Sequence, residues 1–419
     1  MDGHPAIPPD RQPPPHRRTA PRPLPFHLMA QWTTLSASHT ALPFWKSGFA
    51  FWNQRLAPEA EALKRDLDGI DAQAFEQALT AESARRIEGF LKGVEAYRAH
   101  PYHRSLPPVP VVWQEGTTRL YDYSLAGAQG PAVLVVPSLI NRAYVLDLTK
   151  QRSFVRYLAE KGLRPYMVDW DAPGEVEAAF TLDDYIAGRL VRVAAAVEKM
   201  AGRPFVAGYC MGGLLALGLA AVAPARVRGL VLLATPWDFH RPSTVWARQI
   251  RSLAQPLSDV IDSNGILPAD VLQILFASND PGGVERKFRQ FGSLPPKSAR
   301  ARNFVALEDW VNDCVPLAAA VARECLFGWY VDNATARGEW HLDGRPVVPA
   351  TVAVPALAVV PMKDRIVPAH GALALAEAMP TARLRRVHAG HVGMMVGVRA
   401  KSDIYYPVVK WLIRQDASA

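Results

Sequence analysis

A cysteine flanked by glycines is the strongest chemical signal in this sequence. Residues 208–212 read Gly-Tyr-Cys-Met-Gly, which has the form G-x-nucleophile-x-G with Cys210 at its centre. In this motif a sharp turn joins a strand to a helix, and the flanking glycines let the backbones approach each other. The turn exposes the sulfur at a helix N-terminus, where the helix dipole favours a thiolate. We therefore predict that Cys210 is a nucleophile rather than a small buried apolar residue.

A nucleophile of this kind needs an acid and then a histidine later in the chain. Asp364 directly follows a predicted buried strand, and His391 lies in a glycine-flanked loop after the next strand. His388 and His370 compete with His391, but the first adjoins a strand end and the second lies in or before a helix. Asp313 is the main alternative to Asp364, although it falls within a long insertion.

An oxyanion formed during acyl transfer needs backbone N–H donors. The amide of Met211 directly follows the predicted nucleophile and is the first candidate. The second donor should come from the loop after an earlier strand, where the candidates are the amides of Leu139 and Ile140. We expect the neighbouring Asn141 to brace this loop.

Strands and helices alternate from Val111 onward, as a parallel sheet requires. The predicted strands are 111–115, 118–123, 132–137, 165–169, 205–208, 230–234, 356–360 and 382–387, the first two forming a hairpin. The predicted helices are 154–161, 182–200, one near 372–379, and 404–414. This pattern predicts an α/β fold class with a mostly parallel sheet. The mostly helical, aromatic-rich stretch of about 235–345 would form a cap over the active site.

Three regions are expected along the chain. Residues 1–30 contain nine prolines and are predicted to be a disordered leader. Residues 31–110 form an aromatic and helical N-terminal region that ends in a Pro-rich linker, and 111–419 form the catalytic domain. Residues 205–225 carry no charge over a length that could cross a membrane, but five glycines and prolines divide them into a strand, a turn and a buried helix. We predict no transmembrane segment.

The composition excludes several classes of function. The net charge of +8 invites nucleic-acid binding, but four of the arginines lie in the first thirty residues, and no zinc-finger spacing or basic helix with stacking aromatics is present. An odd count of three cysteines is too small for a disulfide framework and points to a reducing, cytoplasmic compartment. We predict no nucleic acid, metal or cofactor.

Seven segments resemble the polyhydroxyalkanoate synthases, particularly their shorter forms. They follow the family's order between Val111 and Leu412. The segments are VVPSLINRAYVLDL (135–148), SFVRYLAEKG (153–162), FTLDDYI (180–186), GYCMGG (208–213), LEDWVND (307–313), KDRIVP (363–368) and GHVGMMVG (390–397). Arg365 departs from the histidine that many synthases carry there, and Ser138 replaces a common proline.

The resemblance implies an α/β-hydrolase fold with a helical cap insertion and an N-terminal helical extension. It implies that Cys210 holds the acyl chain of a 3-hydroxyacyl-CoA, that His391 deprotonates Cys210, and that Asp364 assists the incoming hydroxyl. The implied partners are the growing polyester chain or granule surface, and a second copy or second synthase subunit. The alternatives are a hydrolase on the same scaffold, such as a thioesterase, esterase or depolymerase, and a noncatalytic granule protein.

Overall fold

The computed structural model describes residues 18–19, 21–46 and 56–418, and these divide into two compact units. One unit contains the described residues up to Tyr102 together with Pro281–Val305. The other contains His103–Asp280 and the described residues from Ala306 onward. Across the described ranges, none of the helices combines the length and the hydropathy that crossing a membrane requires.

A single eight-stranded sheet organises the larger unit. Its strands are β1 (Val111–Glu115), β2 (Thr118–Asp122), β3 (Ala132–Val136), β4 (Arg164–Asp169), β5 (Phe205–Tyr209), β6 (Gly229–Leu233), β7 (Ala356–Pro361) and β8 (Ala382–Val387). They lie in the order β1-β2-β4-β3-β5-β6-β7-β8. The pairs β1/β2 and β2/β4 are antiparallel and the remaining pairs are parallel. The predicted α/β fold class and mostly parallel sheet are confirmed.

Sixteen α-helices are distributed over the described residues. They are α1 (Leu24–Lys46), α2 (Ala57–Leu67), α3 (Ala72–Arg98), α4 (Phe154–Glu160), α5 (Val191–Ala201), α6 (Met211–Val222), α7 (Val245–Ser252), α8 (Ala254–Asn264), α9 (Ala269–Ala277), α10 (Gly283–Gly292), α11 (Ala299–Asn312), α12 (Ala319–Arg323), α13 (Ala334–Arg337), α14 (Ala369–Ala378), α15 (Gly393–Val396) and α16 (Tyr406–Ala417). Wider π-helical segments cover Asp184–Leu190, Glu324–Val331 and Lys401–Tyr405. The helix predicted over 182–200 is therefore π-helical in its first half.

Short elements complete the larger unit. Three small antiparallel pairs join Asp147–Thr149 to Arg152–Ser153, Ile266–Leu267 to Leu317–Ala318, and His341–Leu342 to Arg345–Pro346. Single 3₁₀ turns occur at Ala143–Leu146, Glu177–Ala179, Pro224–Arg226 and Pro349–Thr351.

The central strands of the sheet explain the uncharged run that the sequence analysis assigned to a buried strand and helix. Every residue of β3, β5, β6 and β7 is buried, because helices cover both faces of a parallel sheet. The core of the larger unit includes α6 residues from Leu214 to Ala220. This packing holds the carboxyl ends of β3, β5, β6 and β7 side by side, where functional side chains in such folds gather.

Two predicted boundaries are wrong. Helix α1 begins at Leu24, so residues 24–30 of the predicted leader are helical; residues 1–17 and 20 lie outside the described ranges. Proline is tolerated in the first turn of a helix, so Pro25 does not prevent α1 from starting there. Residues 281–305, assigned to the cap, instead belong to the smaller unit with the N-terminal helices.

The packing of α10 on α3 explains why 281–305 groups with the N-terminal helices. Phe288 and Phe291 share a buried cluster with Phe90 and Tyr97. A Cβ on Gly93 would collide with the Phe288 carbonyl oxygen, so the glycine permits close contact between the helices. This apolar contact, rather than chain order, assigns α10 to the smaller unit.

Candidate active site

The turn around Cys210 has the close backbone contacts that the glycine motif predicts. Cys210 has φ of +56°, in the left-handed region, and its amide donates to the Leu233 carbonyl over 2.8 Å. A Cβ on Gly208 would collide with the backbone of Gly212, and a Cβ on Gly212 would collide with the Val136 carbonyl oxygen. Glycine is therefore required on both sides of Cys210 for β5, α6 and β3 to meet.

The structure brings the three predicted catalytic residues together. His391 lies in the loop after β8, and its Nδ1 is 2.6 Å from Asp364 Oδ2. Cys210 lies close enough to His391 to raise the pKa of the imidazole. Since Nδ1 faces Asp364, the other ring nitrogen is left to meet the sulfur. Both His391 and Asp364 are buried, whereas Cys210 is partly accessible.

The second carboxylate oxygen of Asp364 is also occupied. Oδ1 accepts hydrogen bonds from the Ile366 and Val367 amides, each 2.8 Å long. These bonds fix the carboxylate in the turn after β7, and the Lys363 amide ties that turn to the Ala389 carbonyl. Asp364 is therefore oriented towards His391, a geometry that suits it to position the imidazole.

Burial and the neighbouring groups shift the pKa of His391 in opposite directions. Burial acts to lower its pKa, but the neighbouring Cys210 and the hydrogen bond to Asp364 outweigh burial and raise the pKa from 6.5 to about 10. A protonated imidazole next to a sulfur nucleophile is the arrangement that stabilises a thiolate.

Two tyrosines near Cys210 were not identified as site residues from the sequence. The Tyr209 ring stacks on His391, with centroids 5.2 Å apart, and its hydroxyl donates to the His391 carbonyl over 3.2 Å. Tyr330 comes from the insertion; burial first, and then Cys210 and Asp364, raise its pKa. Tyr209 occupies a variable position of the motif, and Tyr330 was only one of many insertion aromatics, so no local pattern marked either residue.

The competing candidates lie elsewhere. Asp313 accepts from the Tyr144 hydroxyl over 3.1 Å and pairs with Arg142 at 3.3 Å. His370 and His388 are exposed at the surface. None of these three forms a hydrogen bond or an ion pair with Cys210, which leaves His391 and Asp364 as the partners that the described residues provide.

Two of the three predicted oxyanion donors remain available. Met211 is the first residue of α6, so its N–H has no acceptor within the helix. The Ile140 amide instead donates to Ser138 Oγ over 3.1 Å, which removes it from the candidates. The Leu139 amide has no acceptor among the described residues and is the better second donor.

The loop that carries Leu139 is attached to the insertion. Trp310 Nε1 donates to the Arg142 carbonyl over 2.8 Å, and the Arg142 guanidinium contacts both Asp313 and Asp171. Asn141 forms a backbone bridge with Cys314 and thereby braces the loop as expected. The position of the candidate oxyanion donor thus depends on the end of α11.

Aromatic rings from the insertion form the apolar surroundings of Tyr330. Phe239 lies 4.7 Å from Tyr330 and 6.1 Å from Trp329, measured between ring centroids. Trp329 in turn contacts Trp340 at 5.4 Å. Within the ranges the structure describes, no three His, Cys, Asp or Glu side chains converge as a metal site would require.

Comparisons with known proteins agree with this architecture. The family described as "alpha/beta hydrolase fold" matches residues 131–398. The poly(3-hydroxyalkanoate) polymerase subunit PhaC of Haloferax mediterranei is 30% identical over 312 residues, which cover 73% of this chain and 63% of that protein. The PhaC of Haloarcula marismortui is 30% identical, with 73% of this chain and 67% of that protein covered.

A third relative is covered more completely. The PhaC of Allochromatium vinosum is 28% identical over 314 residues, which cover 73% of this chain and 88% of that protein. The chain thus spans about two thirds of the haloarchaeal relatives and most of the bacterial one. It belongs to the poly(3-hydroxyalkanoate) polymerase family, within the alpha/beta hydrolase fold.

Proposed function

We propose that this protein is an acyltransferase that polymerises 3-hydroxyacyl-CoA through a thioester on Cys210. The observation that carries the proposal is the meeting of Cys210 and His391 at the carboxyl edge of the sheet, with His391 held by a hydrogen bond to Asp364. Family membership supplies the substrate class, because the relatives are named poly(3-hydroxyalkanoate) polymerase subunits.

In the first step the Cys210 sulfur attacks the thioester carbonyl of the acyl-CoA. The Met211 and Leu139 amides donate to the oxyanion, which then collapses and expels the CoA thiolate. The proton that His391 took from Cys210 passes to the departing CoA sulfur. One thioester replaces another, so the bound acyl group keeps its reactivity.

In the second step the hydroxyl of another 3-hydroxyacyl unit attacks the Cys210 thioester. His391 accepts the hydroxyl proton and returns it to the Cys210 sulfur as the ester forms. Asp364 orients His391 and stabilises its positive charge. Its contacts favour this positioning role over direct activation of the hydroxyl, since both of its oxygens are already engaged.

The aromatic insertion favours a hydroxyl acceptor over water. Tyr330 lies near enough to Cys210 for Cys210 to raise its pKa, and Phe239 packs against Tyr330. Apolar surface of this kind excludes water from a reactive thioester. A water-filled site would release free 3-hydroxy acid and make the protein a hydrolase.

The polymerase proposal extends to the partners. The relatives are named as subunits, so we include a second copy or a second subunit in the proposal, together with the growing polyester or granule surface as the place of action. Acyl-CoA enters as a substrate, and no cofactor takes part in either step.

Product analysis tests the proposal. Purified protein, with any second subunit supplied, is incubated with 3-hydroxybutyryl-CoA, and CoA release, turbidity and solvent-extractable ester are measured together. We expect CoA release accompanied by polymer, and neither product from Cys210→Ala. Soluble 3-hydroxybutyrate as the sole acyl product would replace the polymerase proposal with the hydrolase alternative.

A further inference from the structure

A basic cavity of about 460 Å³ lies between β8 and α16. The strand contributes Arg383, Arg385 and Arg386, and the helix contributes Lys410 and Arg414. The remaining lining is apolar, and no carboxylate takes part. Five basic residues from two separate elements therefore line one concave surface.

Most of this charge is not neutralised by the protein. Four of the five cations, all but Arg385, make no ion pair or hydrogen bond with the residues the structure describes. Arg385 donates to the backbone carbonyl of Asp403 over 2.9 Å. Two nearby carboxylates are already paired, Asp403 with Arg399 and Asp416 with Arg228. The cavity therefore keeps an excess of unpaired positive charge.

The fold partly explains why β8 and α16 each carry exposed cations. β8 ends the sheet and pairs only with β7, and charged residues on such an edge discourage pairing with other chains. Arg414 lies in the last turn of α16, where a cation interacts favourably with the helix dipole. Neither effect requires the cations of both elements to converge on one cavity without a carboxylate.

We propose that this cavity binds a soluble anion that carries two or more adjacent phosphate groups. Arginine offers a planar pair of donors that matches phosphate oxygens, and three arginines lie along one strand. The volume falls within the range of small-ligand sites. Trp411, the aromatic residue of the lining, is buried, so the cavity presents no open ring on which a nucleic-acid base could stack.

The site is separate from the catalytic residues. Its lining includes Leu357, the second residue of β7, which pairs with Arg383 alongside the strand. Asp364 lies beyond the carboxyl end of the same strand. The proposal therefore does not rest on the proposed polymerase function.

Titration calorimetry with inorganic tripolyphosphate tests the site on the full chain. The variant R383Q/R386Q/K410Q removes three unpaired cations, and K150Q/K199Q/R345Q removes three exposed cations elsewhere in the larger unit. We expect the first variant to bind tripolyphosphate at least tenfold more weakly, while the second binds like wild type. Melting temperatures establish that both variants are folded.

Further arms identify the source of the phosphates and set the outcomes that overturn the proposal. If CoA competes with tripolyphosphate for the wild-type protein and binds the cavity variant weakly, the ligand of the cavity is the CoA nucleotide. If CoA does not compete, the ligand is a free oligophosphate. The proposal fails if wild type does not bind tripolyphosphate, or if all three proteins bind it equally. It also fails if citrate binds as tightly, or if only phosphatidylglycerol vesicles bind.

Discussion

The carboxyl edge of the sheet and the insertion after β6 both reach Cys210, but different interactions hold them. At the sheet edge, backbone contacts fix the turn, and a side chain on Gly208 or Gly212 would collide with neighbouring backbone. In the insertion, the stabilising contacts are made by side chains. Trp310 donates a hydrogen bond to the Arg142 carbonyl, and the Phe239 ring packs against Tyr330. The Cys210 turn is therefore intolerant of a side chain at Gly208 or Gly212, whereas the insertion should respond to substitutions by degrees.

The largest effect is expected at the edge, from Gly212→Ala. The new methyl group would meet the Val136 carbonyl and push β3 and the Leu139 loop away from α6. We expect CoA release to fall by about 10²–10³-fold, as when an oxyanion donor is lost, and the free energy of unfolding to fall by about 1–3 kcal/mol. Steady-state kinetics and chemical denaturation measure the two losses.

Gly393→Ala is the matched control, because nothing lies within 4 Å of a Cβ at that position. It should retain nearly wild-type rate and stability. Equal behaviour of the two alanine variants would show that close backbone contact at the nucleophile turn does not matter.

An intermediate effect is expected where the insertion meets the oxyanion loop. Arg142→Ala removes the ion pairs with Asp171 and Asp313 but leaves the loop's backbone bonds to Trp310 and Cys314. We expect about a tenfold loss in kcat, equivalent to about 1.4 kcal/mol, with little change in melting temperature. Arg337→Ala, which removes an exposed pair with Glu339, is the control and should leave kcat unchanged.

A larger loss of activity from Arg142→Ala than from Gly212→Ala would reverse the order proposed for the two regions. Trp310→Phe sharpens the test, since it removes the Nε1 donor to the Arg142 carbonyl and keeps an aromatic ring. A smaller loss of kcat from Trp310→Phe than from Arg142→Ala would show that the ion pairs of Arg142 contribute more than the hydrogen bond to its carbonyl.

The smallest effect is expected in the pH dependence of stability. The pKa of His391 is raised in the folded state, from 6.5 to about 10, so its contribution is fully present below pH 6.5 and is lost as the pH rises through about 10. The melting temperature of wild type should exceed that of His391→Gln by a margin that shrinks between pH 7 and pH 10.5. His388→Gln, at an exposed position, is the control variant.

The comparison also explains what the sequence could predict. The strands and the Cys210 turn follow from local patterns, namely buried apolar runs and glycines at fixed distances from the nucleophile. Asp364 and His391 followed from chain order and from their places after strands. These features were accessible because each depends on residues close in sequence.

Two of the differences came from contacts between residues far apart in the sequence, and a third came from the conformation of one loop. Phe288 packs with Phe90 and Tyr97, nearly two hundred positions away in sequence, and this moved residues 281–305 out of the predicted cap. Tyr330 reaches the nucleophile through the fold of the whole insertion. The engagement of the Ile140 amide by Ser138 depends on the conformation of one loop, which the apolar pattern does not specify.

The most direct test of the account is the intact mass of the protein after brief exposure to 3-hydroxybutyryl-CoA and an acid quench. The account predicts added hydroxybutyryl units on the wild-type peptide that contains Cys210, removable by hydroxylamine, and none on Cys210→Ala. His391→Ala should acylate about 10²–10⁴-fold more slowly, because the thiol has lost its base. An acylated Cys210→Ala protein, or acyl groups on a peptide without Cys210, would contradict the central claim.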